Sequence, residues 1–272
     1  YFYEIARKLG VDRLKETSIK FGLGEKVLQE KFDIEKKGLI PDTLWKKNRL
    51  GKGWVIGETL ITGIGQGYTQ TTPLQLCQMT AQLANGGFKI YPKIIVEESS
   101  KTAEDIRVIM NENRKKLNKK DIGLKDATEL LGFLSKKEDY EALFEDTRNI
   151  NLVREAMFAS TNELRGTSYS SRIDNPKYQF AGKTGTSQVK RITEKDRELD
   201  LKTFQIPYNE RDHALYIAFG PYKNPRYATS IVIEHGGSGS SAAAPIAKKL
   251  FKLIIDRHEL REQARNKKNI KI

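Results

Sequence analysis

The sequence predicts an α+β fold in which an antiparallel sheet is flanked by helices. Apolar residues recur at helical spacing in several segments before about residue 165. Three short runs rich in β-branched and aromatic residues follow, and one more helical pattern closes the chain. With 272 residues, of which 38% are hydrophobic, the chain is long and apolar enough to build a sizeable core.

The N-terminal part is predicted to be mainly helical. Apolar spacing predicts a helix over residues 1–9, and Asp12 is a suitable N-cap for a second helix over residues 13–21. Residues 25–60 contain several glycines and little regular pattern, so they are predicted to form a long surface connection. An amphipathic helix is predicted over Pro73–Ala84, because proline suits the first helical turn and apolar residues follow at helical spacing.

The middle of the chain, at about residues 99–150, is highly charged. It is predicted to form mostly solvated helices over residues 103–117 and 124–144, and we interpret it as an insertion or a peripheral face. A further helix is predicted over residues 150–164, and the Arg-Gly-Thr sequence at 165–167 is interpreted as its end. No chemistry is expected in the charged region.

The last part of the chain is predicted to supply the sheet. Strands are predicted over residues 178–189, 214–219 and 227–234. A short turn with glycine and proline, residues 220–226, joins the second and third strands, so these two are expected to pair as a hairpin. A C-terminal helix is predicted over residues 241–260.

The composition is basic, with 48 Lys and Arg against 35 Asp and Glu and a formal net charge of +13. Such a balance can serve nucleic acid, an anionic membrane surface or an acidic wall polymer. The basic residues are spread along the whole chain, which favours a solvated surface, and only residues 261–272 are interpreted as a basic tail. Nucleic acid is therefore not predicted as a partner.

Metal ions and cofactors are not predicted. Cys77 is the only cysteine and the three histidines are scattered, so the sequence offers no zinc ligand set. No run of 18 apolar residues occurs, and no segment of the sequence is predicted to cross a membrane. The chain begins with Tyr1 inside a predicted helix, and we interpret it as a piece of a longer protein.

Phosphate-binding loops and nucleophile motifs fit the sequence poorly. The alternating glycines of residues 63–67 match neither common phosphate loop, and Lys183-Thr184 lacks the glycine expected five residues before Gly182. The one serine–lysine pair at helical spacing, Ser187 and Lys190, lies at the end of a predicted strand, where residues three apart point to opposite faces. No nucleophile is therefore identified within the sequence.

The strongest candidate for a site is the sequence Lys183-Thr184-Gly185-Thr186 on the first predicted strand. A lysine and two hydroxyls would lie along one edge of this strand, and a glycine would allow a ligand's backbone to approach closely. These groups suit a peptide that ends in a carboxylate and lies along the strand as an additional strand. Taken alone, the KTG triplet also fits the alternative of an ordinary exposed strand that binds no ligand.

Several longer pieces carry a resemblance to a known family: YFYEIARKLGVDRL, GIGQGYTQTTPLQL, AGKTGTSQV and RDHALYIAFGPYKNPRYATSIVIEHGGSGSSAAAPIA, in that order. Through them the chain resembles the transpeptidase domain of class B penicillin-binding proteins of the elongation type, penicillin-binding protein 2. The resemblance implies a penicillin-binding protein/serine β-lactamase-like fold, with residues 1–260 as the C-terminal portion of that domain. It does not extend to about residues 95–150.

Enzymes of this family use three motifs: an SxxK pair that holds the nucleophile, an SxN or SxD motif, and KTG or KSG. Only the third is recognised, at residues 183–185, and the resemblance implies that the other two precede Tyr1. Ser160-Thr161-Asn162 matches SxN in letters, but it follows the GIGQG piece and is interpreted as a coincidence. The fragment alone is therefore predicted to be inactive.

The resemblance implies a serine-type peptidoglycan D,D-transpeptidase that cross-links stem peptides during cell-wall elongation. The serine attacks the carbonyl between two D-alanines, the terminal D-alanine leaves, and an amine from a neighbouring strand resolves the acyl-enzyme. Penicillins mimic the D-Ala-D-Ala end and stop at the acyl stage. The implied partners are the stem peptide, β-lactams, a membrane glycosyltransferase and elongation-complex proteins, and the implied location is the periplasmic face of the bacterial inner membrane, with the anchor upstream.

The resemblance also implies roles for the residues of the third motif. Lys183 would supply positive charge and a hydrogen bond near the serine of the second motif, and the hydroxyls of Thr184 and Thr186 would bind the carboxylate of the substrate or antibiotic. The backbone N–H of Thr186 would form half of the oxyanion hole, and Gly185 would keep the strand edge open. Gln188 follows in the family's pattern and is included among the substrate-binding residues.

Two alternatives to the transpeptidase function are kept. A serine β-lactamase or D,D-carboxypeptidase would have the same fold, with water as the acyl acceptor, and a non-catalytic basic binding module belongs to another class.

The turn of Gly65, Gln66 and Gly67 is expected to shape the wall of the cleft. A buried Asp–His or Arg–Asp bond is expected among residues 211–213.

Overall fold

The sheet is present in the structure, a computed structural model that describes residues 1–28, 34–92, 141–190 and 201–269. Its strands are β1 (Ala181–Ser187), β2 (His213–Gly220) and β3 (Tyr227–Ile233), in the spatial order β1-β2-β3. Both pairs are antiparallel, and Tyr216 of β2 lies opposite Thr184 of β1. The predicted α+β class and the hairpin of β2 and β3 are confirmed.

Helices precede and follow the sheet along the chain. The short segments Tyr169–Ser171, Thr203–Gln205 and Tyr208–Glu210 are 3₁₀ turns, and Gly239–Ala243 is a π-helical turn. In the described ranges no helix is long and apolar enough to cross a bilayer. The α-helices described are α1 (Phe2–Leu9), α2 (Val11–Lys20), α3 (Thr43–Leu50), α4 (Ile56–Thr62), α5 (Pro73–Ala84), α6 (Arg148–Asn162) and α7 (Ala244–Asn269).

The start of α2 differs from the prediction. The helix begins at Val11 after Gly10, so Asp12 lies inside the first turn and is not the N-cap. The Asp12 carboxylate instead accepts hydrogen bonds from the backbone N–H of Thr43, at 3.0 Å, and from its hydroxyl, at 3.1 Å. Asp12 therefore connects α2 to the start of α3, which no local pattern indicates.

The prediction of a long irregular connection over residues 25–60 was wrong, because α3 and the first part of α4 form there. The carboxylate of Asp42 caps α3 by accepting from the backbone N–H of Trp45. The side chains of Lys46 and Glu58, 2.6 Å apart, join α3 to α4. Because polar contacts hold these two short helices, the sequence shows little apolar periodicity in this segment.

The charged region lies largely outside the described residues, including the helix predicted over residues 103–117. Of the helix predicted over 124–144, only residues 141–144 are described, and these are not helical, because Ala142 forms a β-bridge with Phe88. The next helix, α6, begins at Arg148 and ends at Asn162, close to the predicted bounds. The last helix, α7, extends to Asn269, so most of the predicted tail continues this helix.

The sheet is packed on both faces. Successive side chains of β2 point to opposite faces, so Tyr216 joins one core and Phe219 joins the other. The core under α7 contains Phe180, Ala214, Tyr216, Ala218, Ala244, Ala247, Phe251 and Ile255. The core under α5 and α6 contains Leu83, Ala84, Ile150, Met157, Ala181 and Phe219. In the part of the chain that the structure describes, both faces of the sheet are thus covered, and its outer strands are where a ligand can reach it.

A glycine of β1 makes room for the ring of Tyr216. A Cβ at Gly182 would lie 2.3 Å from the hydroxyl oxygen of Tyr216 and 2.5 Å from the adjoining ring carbon. The fully buried ring thus passes across β1 at Gly182, and its hydroxyl meets Thr161 Oγ1 at 2.9 Å and Ser168 Oγ at 3.1 Å. The space at Gly182 therefore lets Tyr216 connect the sheet to the end of α6 and to the turn that follows it.

Replacing Gly182 with alanine is expected to lower the free energy of unfolding of the domain by about 1–3 kcal/mol, because a methyl group forced into a packed site displaces its neighbours. Urea-induced unfolding of the full-length protein would measure this loss. Gly53→Ala is a suitable control, since nothing lies within 4 Å of a Cβ at Gly53. Equal stabilities of the two variants would contradict the packing argument.

Candidate active site

The candidate site is the outer edge of β1. This strand pairs with β2 on one side, and no other strand pairs with it among the described residues. The carbonyl oxygens of Thr184 and Thr186 face that outer edge, where they accept hydrogen bonds from Lys183 Nζ and from Gln66 Nε2, each at 2.8 Å. Because the N–H and C=O of one residue point to the same side of an antiparallel strand, the N–H groups of Thr184 and Thr186 face the outer edge as well.

Lys183 bends over the edge of its own strand. Its Nζ donates to the carbonyl of Thr184 and lies 3.5 Å from Thr184 Oγ1. Partial burial lowers the pKa of Lys183 from the ordinary lysine value. No ion pair holds Lys183 within the described part of the chain, so its charge can serve an anionic ligand at this edge.

The other predicted site residues lie along the same strand or just beyond it. Thr184 Oγ1 is 3.2 Å from Thr167 Oγ1, and Thr186 is exposed. A Cβ at Gly185 would lie 3.3 Å from Leu215 Cβ, so the lack of a side chain there relieves packing against β2. Gln188 is exposed just past the end of β1. The structure thus brings the four residues 183–186 together and leaves Gln188 at their margin.

The loop that follows α4 reaches the same edge. Gly65 and Gly67 have φ angles of 75° and 76°, a left-handed conformation that favours glycine. The turn they form carries Gln66 to Thr186, 120 positions away in sequence. The sequence predicted a turn at this place but did not identify Gln66 as a site residue, although its two flanking glycines and the GIGQG piece of the family resemblance both marked the position.

The end of α6 also packs beside β1. Asn162 Nδ2 donates to the carbonyl oxygen of Phe180 at 2.9 Å, and Ser160 Oγ lies 3.2 Å from Thr167 Oγ1. Thr167 was interpreted from the sequence only as part of a helix end. The structure places its hydroxyl within hydrogen-bond distance of the hydroxyl of Thr184, and no motif in the sequence indicated this contact.

The bond expected among Arg211, Asp212 and His213 does not form. The Asp212 carboxylate accepts from the backbone N–H of Val189 at 3.1 Å, and the Arg211 guanidinium donates to the carbonyl of Ile206 at 2.9 Å. Backbone groups are available to these side chains in the neighbouring turns and satisfy them instead. Asp212 and Arg211 therefore support the segment that follows β1, whereas His213 Nδ1 accepts from the backbone N–H of His235 at 2.9 Å.

Three further features bear on the chemistry of the site. The described residues contain no group of three histidine, cysteine, aspartate or glutamate side chains that could hold a metal ion. Cys77 is partly buried against β3, and burial raises the pKa of its thiol. Ser187 and Lys190, the letters of a serine–lysine motif, lie at and beyond the end of β1 and share no helical turn.

Comparison with known proteins gives one family. The family described as "Penicillin binding protein transpeptidase domain" matches residues 1–252. The peptidoglycan D,D-transpeptidase MrdA of Salmonella typhimurium is 34% identical over 260 residues, which cover 94% of this chain and 36% of that protein. MrdA of Escherichia coli is 29% identical over 258 residues, which cover 94% of this chain and 35% of that protein. The chain thus spans about a third of the length of these relatives.

Solved structures agree with the family match. Penicillin-binding protein 2 of Pseudomonas aeruginosa, in complex with WCK 5153, is 31% identical with a TM-score of 0.66, covering 93% of this chain and 46% of that one. Penicillin-binding protein 2 of Helicobacter pylori, in complex with MreC, is 28% identical with the same TM-score of 0.66, covering 93% of this chain and 38% of that one. The predicted fold is confirmed by these neighbours.

Proposed function

Because the chain belongs to the penicillin-binding protein transpeptidase domain family, we propose that the whole protein is a peptidoglycan D,D-transpeptidase. The observation that carries the proposal is the outer edge of β1. There a lysine, two threonine hydroxyls and two outward backbone N–H groups lie along one exposed strand. Such an edge can take a short extended peptide as an additional strand and hold the carboxylate at its end.

In this proposal, residues 183–186 bind the D-Ala-D-Ala end of a stem peptide. The Lys183 ammonium and the hydroxyls of Thr184 and Thr186 hold its terminal carboxylate, because charge-assisted hydrogen bonds are the strongest available here. Gln188, at the end of the strand, contacts the bound peptide. The backbone N–H of Thr186 stabilises the negative oxygen that forms when the scissile carbonyl is attacked.

The serine of the family's SxxK motif supplies the nucleophile in the whole protein. Its oxygen bonds to the carbonyl carbon between the two D-alanines, and its proton passes to a base. The C–N bond then breaks, the terminal D-alanine leaves with a proton on its amine, and an ester remains on the serine. An amine from a neighbouring stem peptide displaces the serine and forms the cross-link, and the serine regains its proton.

The proposal extends to the setting of the whole protein. The Helicobacter pylori relative was solved in complex with MreC, so a partner of that kind and a membrane glycosyltransferase are proposed for this protein. We place the domain at the periplasmic face of the bacterial inner membrane, where peptidoglycan is assembled. Residues 1–260 are proposed as the C-terminal part of the transpeptidase domain, with about 99–150 as a peripheral insertion and 261–272 as a basic end.

The test uses the full-length protein with a fluorescent penicillin. We expect a covalent adduct that persists through denaturing electrophoresis, and release of D-alanine when stem peptides and an amine acceptor are supplied. Rapid loss of the adduct with turnover of penicillin would favour a β-lactamase of the same fold, and release of D-alanine that needs no amine acceptor would favour a carboxypeptidase. Absence of any adduct, together with salt-dependent binding to DNA, would overturn the proposal in favour of a basic binding module.

The lowered pKa of Lys183 predicts a pH dependence. The ammonium can hold a carboxylate only while it is charged, and a lowered pKa means that its proton is lost earlier as the pH rises. Acylation of the full-length protein by penicillin is therefore expected to fall with a midpoint below 10.5, the ordinary lysine value. Because arginine stays charged in this range, Lys183→Arg should move the fall to higher pH. The same midpoint in both proteins would contradict the assignment.

A further inference from the structure

A row of three hydroxyls lies beside the outer edge of β1, and two of them, those of Ser160 and Thr167, have no role in the proposed function. Ser160 Oγ is 3.2 Å from Thr167 Oγ1, and Thr167 Oγ1 is 3.2 Å from Thr184 Oγ1. The three hydroxyls form a continuous chain that ends on a residue proposed to bind the substrate carboxylate. We call this the hydroxyl row.

A tight turn at Gly166 brings the row together. A Cβ at Gly166 would lie 2.3 Å from the carbonyl oxygen of Ser160, so a side chain at this position cannot be accommodated without displacing the backbone. Just after the turn, the backbone N–H of Ser168 donates to that same carbonyl at 3.0 Å. Thr167 is therefore held between the last turn of α6 and β1.

Buried hydroxyls fix both ends of this turn. The hydroxyl of Tyr216 lies 2.9 Å from Thr161 Oγ1 and 3.1 Å from Ser168 Oγ, and all three residues are fully buried. Burial raises the pKa of Tyr216, so its hydroxyl stays neutral and can both donate and accept. Thr161, before the turn, and Ser168, directly after Thr167, are thus anchored in the core. This anchoring holds the hydroxyl of the exposed Thr167 in place.

The number of protons on each group determines which hydroxyl donates and which accepts in the hydroxyl row. A hydroxyl has one proton and two lone pairs, whereas an ammonium can only donate. Thr184 Oγ1 can therefore accept from Lys183, 3.5 Å away, and its second lone pair can accept from Thr167. With both lone pairs filled, the proton of Thr184 is left to donate to a ligand. Ser160 completes the row by donating to Thr167, and hydrogen bonds in such a chain strengthen one another.

We propose that Thr167 is a positioning residue for carboxylate recognition. Its hydroxyl donates to Thr184 and so directs the Thr184 proton towards the carboxylate of a stem peptide or a β-lactam. The hydroxyl of Ser160 donates to Thr167 from the other side. The inference rests on the proposed function, since it assigns the ligand of Thr184 as that carboxylate. It adds two residues to the site that lie outside the KTG motif and that do not touch the ligand.

The test compares a penicillin with its methyl ester on the full-length protein. Thr167→Val keeps the shape of the side chain but removes the hydroxyl, so the rate of acylation by the penicillin is expected to fall about 3–10-fold, the effect of one modest hydrogen bond. The rate with the ester, which has no carboxylate, should change much less. Thr167→Ser should restore the rate with the penicillin, and Ser160→Ala should lower it by a smaller factor.

Thr43→Val is the matched control, because it removes an exposed hydroxyl on α3 that bonds only to Asp12 among the described residues. An equal loss with penicillin and ester, or no loss with either, would overturn the role of Thr167 while leaving the proposed function intact. Failure of the unaltered protein to form any adduct would instead contradict the proposed function, and the inference with it.

Discussion

Lys183→Ala is expected to slow acylation of the full-length protein by penicillin about 10–10²-fold, the usual effect of losing a hydrogen bond to a charged group. The variant loses the ammonium that donates to the Thr184 carbonyl and lies beside its hydroxyl. It therefore loses both the charge that attracts the carboxylate and the contact that orders the strand edge. The measurement is the second-order rate constant for adduct formation.

Lys190→Ala is the matched control for this loss. Lys190 is an exposed lysine just beyond β1, and its side chain pairs with Glu210 at 2.8 Å. Its removal changes the net charge by the same amount without altering the outer edge of β1. Equal rates for the two alanine variants would show that Lys183 contributes only general charge, and the assignment of the site would fail.

Thr186→Pro is expected to slow the same reaction by about 10²–10³-fold, because proline has no N–H and one donor of the oxyanion hole is lost. The N–H of Thr186 faces away from β2, since the carbonyl of the same residue accepts from Gln66. Proline is tolerated in an outer strand where its missing N–H does not face a neighbouring strand. The variant is therefore expected to fold with the sheet intact.

Thr186→Ala separates the backbone donor from the hydroxyl. This variant keeps the N–H and should lose much less activity than Thr186→Pro. Near-ultraviolet circular dichroism of both variants would establish that the packing around Tyr216 is retained. If the alanine and proline variants acylate at the same rate, the backbone N–H of Thr186 is not part of the oxyanion hole.

The sheet could be predicted from the sequence because its signals are local. Runs rich in β-branched and aromatic residues and a short turn with proline define β2 and β3, and the KTGT sequence lies on a strand as expected. The predicted strand over residues 178–189 was longer than β1, whose pairing with β2 ends at Ser187. Bounds depend on which residues find a partner in the sheet, and the sequence of one strand does not contain that information.

The parts that were missed depend on contacts between distant residues. Asp12 resembles an N-cap in its own segment, but its carboxylate is used by Thr43, 31 positions away. Gln66 lies in the GIGQG piece but was interpreted only as part of a turn, and Thr167 carries no motif. Each becomes part of the candidate site because a turn with glycine brings it to β1. Site residues that act on other protein groups are in general harder to predict than those placed in a short motif.

The contacts of Lys183 and Gln66 have a consequence for assembly. A strand with free carbonyls along one side is a template on which the strands of other molecules can add, and proteins commonly protect such strands from aggregation. Here two polar side chains occupy the outward carbonyls of Thr184 and Thr186. An incoming chain must displace both, and only one with a carboxylate for the lysine recovers the lost interactions. The same two side chains thus discourage unspecific strand addition and, in the proposed function, favour a peptide that ends in a carboxylate.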